Sequence, residues 1–194
     1  MRLTYRRAVM SERYIVEYCS PTLAGLKTGN LFSVKVKKEE NIYRELRKWN
    51  HIFLKRGLRV IPVKFTESYI LLYLYRPAFL ARDLKSPKAL EILKKKGYRC
   101  GSSQMCLMQL IDRLKQDESF PHEIGLFLGY PPSDVEAFMK DSGKGVKSVG
   151  CWKAYDNEKE AEKIFSSFQS CTEIYKRRIR RGSAIEQLIV EKQA

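Results

Sequence analysis

The chain has 194 residues, with 37 lysines and arginines against 22 aspartates and glutamates, a formal net charge of +15, and 44% hydrophobic residues. That apolar content supports one sizeable core, which excludes disorder as a description of the whole chain and predicts a single domain over residues 1–194 with its core at about 12–182. The apolar runs are too short for a membrane span, the first residues lack the apolar block of a secretory signal, and five scattered cysteines suit reduced thiols, so a cytoplasmic protein with no membrane role is expected.

Residues 6–18 favour a short helix that should stop before Cys19-Ser20-Pro21, because the residue before a proline is pushed out of the helical region. A loop containing Gly25 and Gly29 follows. Residues 31–36 alternate apolar and polar, which predicts a half-buried strand with Phe32, Val34 and Val36 inward. Across residues 39–56, Ile42, Leu46, Trp49 and Phe53 recur at helical spacing, and Gly57 stands where a C-terminal cap belongs. Residues 58–65 and 68–75 read as a β-hairpin. The second of these strands is apolar on both faces, so it should be a central strand covered on both sides.

Residues 77–96 are helical in character and divide at Ser86-Pro87, since proline is tolerated at the first helical position. Gly97 ends this stretch, and Ser102 or Ser103 opens another helix. Residues 120–132 should start a short helix at Pro121 and break at Gly129-Tyr130-Pro131. Ser133-Asp134-Val135-Glu136 is a capping-box pattern in front of a further helix. Residues 147–155 read as a last strand, and residues 158–181 as a long final helix with Ala161, Ile164, Phe165, Phe168, Cys171, Ile174 and Tyr175 along one side. Helices and strands mix without regular βαβ alternation, so the predicted class is α+β with a small, largely antiparallel sheet.

The basic charge clusters at Arg6/Arg7, Lys35/Lys37/Lys38, Lys94/Lys95/Lys96 and between Lys176 and Arg181. Such clusters attract nucleic acid and other anions. The last one also suits a helix C-terminus and the others suit polar faces, so solvated surface is favoured over a nucleic-acid site. No zinc-finger, helix-turn-helix or RNA-recognition pattern supports a specific reader. The tyrosines of residues 69–75 offer rings for stacking a base or a flavin, but read better as core.

Gly25-Leu26-Lys27-Thr28-Gly29 fails the nucleotide-binding P-loop pattern, because no second glycine precedes the lysine. It leaves a simpler anion site, made from loop N–H groups with Lys27 or Lys35. There is no C-x-x-C and only two histidines, His51 and His122, so no metal site is expected and no cofactor is specified. Cys19 falls in the predicted proline- and glycine-flanked loop, and His122-Glu123 in the first turn of a predicted helix. If the fold joined them, Cys19 would serve as nucleophile or redox thiol, His122 as acid/base and Glu123 as its orienter. Structural roles are the favoured reading of these three.

Cys19-Ser20-Pro21-Thr22-Leu23-Ala24-Gly25-Leu26-Lys27 and Phe120-Pro121-His122-Glu123-Ile124-Gly125-Leu126-Phe127-Leu128-Gly129-Tyr130-Pro131 resemble motifs of an uncharacterised bacterial family, known only as a domain of unknown function and found largely in anaerobic Firmicutes. Arg76-Pro77 and Gly150-Cys151-Trp152-Lys153-Ala154-Tyr155 extend the resemblance over residues 12–182. The family has no established activity, so no catalytic residue transfers. Its members lie near flavodoxin-like and iron-handling genes, which implies a redox or metal context. The two motif loops are expected to line one pocket for a small anionic or nucleotide-like ligand, with Thr22, Gly25, Lys27, His122 and Tyr130 in contact. A flavodoxin-like acidic protein is the other partner this reading allows. An enzyme built on Cys19 and His122, and non-specific nucleic-acid binding through the basic surface, are the alternatives.

Overall fold

In the computed structural model, which describes residues 10–35, 39–116, 120–141 and 144–191, the chain opens with helix α1 (Glu12–Leu23). Ser11 caps it by accepting a hydrogen bond from the Tyr14 amide at 3.2 Å. The predicted stop before Pro21 is corrected here: the helix runs through Cys19-Ser20-Pro21 and ends at Leu23. Ile15, Val16, Cys19 and Leu23 form one buried face, and their burial outweighs the local preference of a residue that precedes proline. The Ser20 hydroxyl donates to the Val16 carbonyl at 2.5 Å, and the Pro21 carbonyl accepts from the amides of Leu26 at 2.8 Å and Lys27 at 3.2 Å.

Strand β1 (Gly29–Lys35) buries Phe32 and Val34 as predicted, while Val36 lies outside the described residues. Helix α2 (Glu39–Phe53) buries its whole stripe of Ile42, Leu46, Trp49 and Phe53. A 3-10 turn over Leu54–Arg56 and Gly57, at φ +71°, close it. Strands β2 (Arg59–Phe65) and β3 (Tyr69–Tyr75) follow, and the sheet order β1-β3-β2, antiparallel throughout, puts β3 at the centre. Its two apolar faces explain that position. Ile70, Leu72 and Leu74 face a first core shared with α1 and α2, and Tyr73 and Tyr75 face a second core on the other side.

The second core is covered by α3 (Pro77–Leu84), α4 (Pro87–Lys95), α5 (Ser103–Gln116), α6 (Ile124–Phe127) and α7 (Pro132–Asp141). Ser86 caps α4, as its hydroxyl accepts from the Ala89 amide at 3.4 Å. Two starts shift from expectation. The short helix begins at Ile124 instead of Pro121, and α7 begins at Pro132, so Ser133 lies inside its first turn. The predicted strand over residues 147–155 is instead a hairpin of β4 (Ser148–Val149) and β5 (Lys153–Ala154), turned at Gly150 and Cys151.

Helix α8 (Glu158–Arg180) packs on α1 through Cys171, Tyr175 and Ile179, which join the first core. Its predicted stripe is buried only in part, since Phe165 and Phe168 are half-buried and Ile174 is exposed. Arg76, just 1% exposed, ties these parts together. Its Nε donates to the Thr22 carbonyl at 2.8 Å, and its Nη2 to the carbonyls of Leu23 at 2.8 Å and Val190 at 2.7 Å. The first two carbonyls end α1, where the helix dipole is negative and favours a cation.

Candidate functional site

The turn after α1 and the segment after α6 meet across a cleft of about 590 Å³. Gly25, Leu26, Lys27 and Thr28 form one wall, and Gly129, Tyr130 and Pro131 the facing one. Helix α3 closes the third side with Arg82 and Asp83. The walls touch at Gly129, whose φ is +77° and where a Cβ would lie 2.7 Å from Thr28 Oγ1. Glycine alone meets both demands without strain. The Thr28 hydroxyl donates to the Asp83 carboxylate, and Arg82 pairs with the same carboxylate at 2.8 Å. The negative charge of Asp83 is therefore answered within the wall.

Lys27 is different. It is 6% exposed, and its Nζ lies 4.9 Å from the centroid of the Tyr130 ring. Among the described residues its ammonium has no carboxylate partner. Burial pushes its proton affinity below the usual lysine range. Burial likewise raises the Tyr130 phenol well above its ordinary value, so it is neutral near pH 7.

The remaining predicted contacts lie elsewhere. Thr22 is fully buried; its hydroxyl donates to Asn30 Oδ1 at 2.8 Å and its carbonyl serves Arg76. The amides of Gly25, Leu26 and Lys27 donate to the carbonyls of Thr22 and Pro21, so the expected ring of open N–H donors around Gly25 is corrected: these donors are engaged. Cys19, expected in a loop, is in α1 and fully buried in the first core. Burial raises its thiol far above the ordinary range, the opposite of what an activated nucleophile needs.

His122 is exposed and packs edge-on against Phe138 at 4.9 Å, beside residues of the second core. It and Cys19 thus belong to opposite faces of the sheet. Glu123 does not orient His122 either: its carboxylate accepts from the Tyr98 hydroxyl at 3.0 Å and from Arg113 at 3.4 Å.

A second cavity of about 440 Å³ lies beside the cleft, with Tyr130 in the wall of both. Trp152 of the hairpin forms part of it, held by its Nε1 donating to Asp134 at 2.8 Å. The other oxygen of Asp134 accepts from the amides of Tyr155 and Asp156 at 2.9 and 3.2 Å. A Cβ at Gly150 would lie 2.4 Å from the Phe165 ring, so the hairpin rests directly on α8.

Arg82, Asp83 and Phe138 carry these sites without a signal of their own in the sequence, and Lys153 stands there only as a motif member; the packing of α3 and α7 against the motif segments gives them a role. Asp134 was read as part of a capping box, a local pattern that hides a carboxylate turned toward a distant hairpin.

Among the described residues no group of three or more His, Cys, Asp or Glu is placed to hold a metal ion, and no helix is long and apolar enough to cross a membrane. A family model described as a protein of unknown function (DUF3793) matches residues 15–189. No curated protein and no solved structure matches the chain.

Proposed function

Because the chain belongs to the DUF3793 family, whose description assigns no activity, we propose its function from the cleft itself: it binds a small anionic, nucleotide-like ligand between the two motif segments. The observation that carries this reading is Lys27, a cation removed from water with, among the described residues, a ring face and no carboxylate to answer its charge. A buried charge without a partner lowers stability, and an incoming anion supplies the missing partner. Arg82, more than half exposed at the rim and paired with Asp83, brings further N–H donors to the cleft, and Tyr130 lies in its wall.

An acidic protein such as a flavodoxin is less well supported, because an ammonium this deeply buried meets a small ligand more readily than a flat protein surface. Non-specific nucleic-acid binding is also less well supported. Lys176 is paired with Glu17 at 2.8 Å and Lys95 with Glu91 at 2.6 Å, so parts of the basic clusters are already neutralised.

The test is calorimetric titration with inorganic phosphate, pyrophosphate and AMP, run on the natural chain and on Lys27→Met. Saturable binding of at least one probe, lost in Lys27→Met, is the expected result. Absence of binding by all three, or equal binding by the variant, would overturn the proposal.

A further inference from the structure

The cavity beside the cleft has a chemistry of its own. Its volume, about 440 Å³, is in the range of sites that enclose one small organic molecule. Leu128, Val135, Phe138, Tyr130 and Trp152 make its walls apolar and largely aromatic. Phe120 and Val149, 49% and 70% exposed, mark the side open to solvent.

Besides Tyr130 and Trp152, three polar side chains reach this lining: Asp134, His122 and Lys153. The Asp134 carboxylate is satisfied by the three donors from the hairpin. His122 and Lys153 converge on one ring, the first edge-on to Phe138 at 4.9 Å and the second with its Nζ 5.4 Å from the same centroid. Neither has a carboxylate partner among the described residues. The cavity thus combines an apolar interior, a carboxylate held by hydrogen bonds and, at its exposed edge, two nitrogen donors with no carboxylate partner among the described residues.

We infer that this cavity binds a small amphipathic anion, a molecule with an aromatic or branched apolar body and one carboxylate. The body replaces water against Val135, Phe138 and Trp152, and the carboxylate accepts from Lys153 and His122. The site shares the Tyr130 wall with the anion cleft but draws its cations from different residues.

The chain has two tryptophans, and Trp49 is sequestered in the first core, so Trp152 reports on this cavity. The experiment titrates the protein with 4-phenylbutyrate, with its neutral analogue 4-phenylbutanol and with butyrate, following tryptophan emission and heat. Expected are saturable binding of 4-phenylbutyrate, about tenfold weaker binding of the alcohol, as for loss of one charge-assisted hydrogen bond, and no saturable binding of butyrate. Lys153→Met keeps an unbranched side chain of similar length and removes the charge, so it should lower phenylbutyrate affinity by a similar factor while leaving the alcohol unchanged. Saturating inorganic phosphate should not displace phenylbutyrate, which separates this site from the cleft.

Equal affinity for acid and alcohol, or an unaltered Lys153→Met, would overturn the inference. So would the absence of binding by the acid when an apolar peptide does bind at Trp152, since the cavity would then be a seat for a protein side chain.

Discussion

Replacing Arg76 by methionine and Lys27 by methionine should move stability in opposite directions, although both remove a buried cation. Arg76 makes three hydrogen bonds of 2.7–2.8 Å to carbonyls that have been withdrawn from water. Bonds to a charged group contribute about 1.5–3 kcal/mol each. Subtracting the cost of desolvating the guanidinium, the net loss in Arg76→Met should be about 3–5 kcal/mol, the range for stranding one side of a buried polar pair. Lys27→Met gives up only a contact with the Tyr130 ring, about 0.5–1 kcal/mol, and relieves an unanswered charge. Its net effect should be a gain of about 1–2 kcal/mol.

The assay is urea unfolding followed by far-UV circular dichroism. With a slope of about 2 kcal/mol/M, the midpoint should fall by about 1.5–2.5 M for Arg76→Met and rise by about 0.5–1 M for Lys27→Met. A Lys27→Met protein as unstable as Arg76→Met would show that Lys27 holds the fold together, and the case for an anion at the cleft would lose its main support.

Gly129→Ala should cost about 2–4 kcal/mol in the same assay, because it combines a left-handed backbone with a Cβ pressed on Thr28. Cys171 and Cys106, whose thiols burial pushes up to about 11, titrate near 8.5 when unfolded, so the stability they contribute is present below about pH 8.5 and is lost as the pH rises toward 11. Lys27 acts in the reverse sense, since a lowered folded-state value makes stability rise with pH. Lys27→Met should therefore lose stability more steeply than the natural chain in urea series between pH 8.5 and 10.5, and a shallower loss would contradict the assignment. Native-state alkylation with iodoacetamide, read by mass spectrometry, should label exposed Cys151 first and leave Cys19 unmodified until the chain unfolds. Fast labelling of Cys19 would revive a nucleophilic role for it.

The elements most legible in the sequence were those set by short-range periodicity. The stripe of α2 and the two apolar faces of β3 each state how much of the element must be covered, and β3 accordingly lies between two cores. Where two local rules competed, or a local rule met a distant partner, the sequence was a weaker guide. The proline rule at Pro21 gave way to the burial of Cys19 and Leu23, and the apolar residues over 147–155 folded back on themselves at Gly150. At the site, the motifs pointed to Lys27 and Tyr130 by their position. They did not show that the Gly25 amides are engaged, or that Arg82 and Asp83 complete the cleft, because both facts depend on how α3 meets two separate segments.

The division of the interior by the sheet also has a temporal side. Buried members of the second core all lie within residues 63–135, whereas the first needs residues 10–74 together with 171–189. A ribosome adding about 5–20 residues per second takes about 6–23 s to go from residue 74 to residue 189. Over that interval the second core can already close and α1 and α2 can pack on the sheet, while the side of α1 that receives Cys171, Tyr175 and Ile179 stays bare. That side of α1 is where the growing chain most needs a chaperone, and the arrival of α8 ends that need.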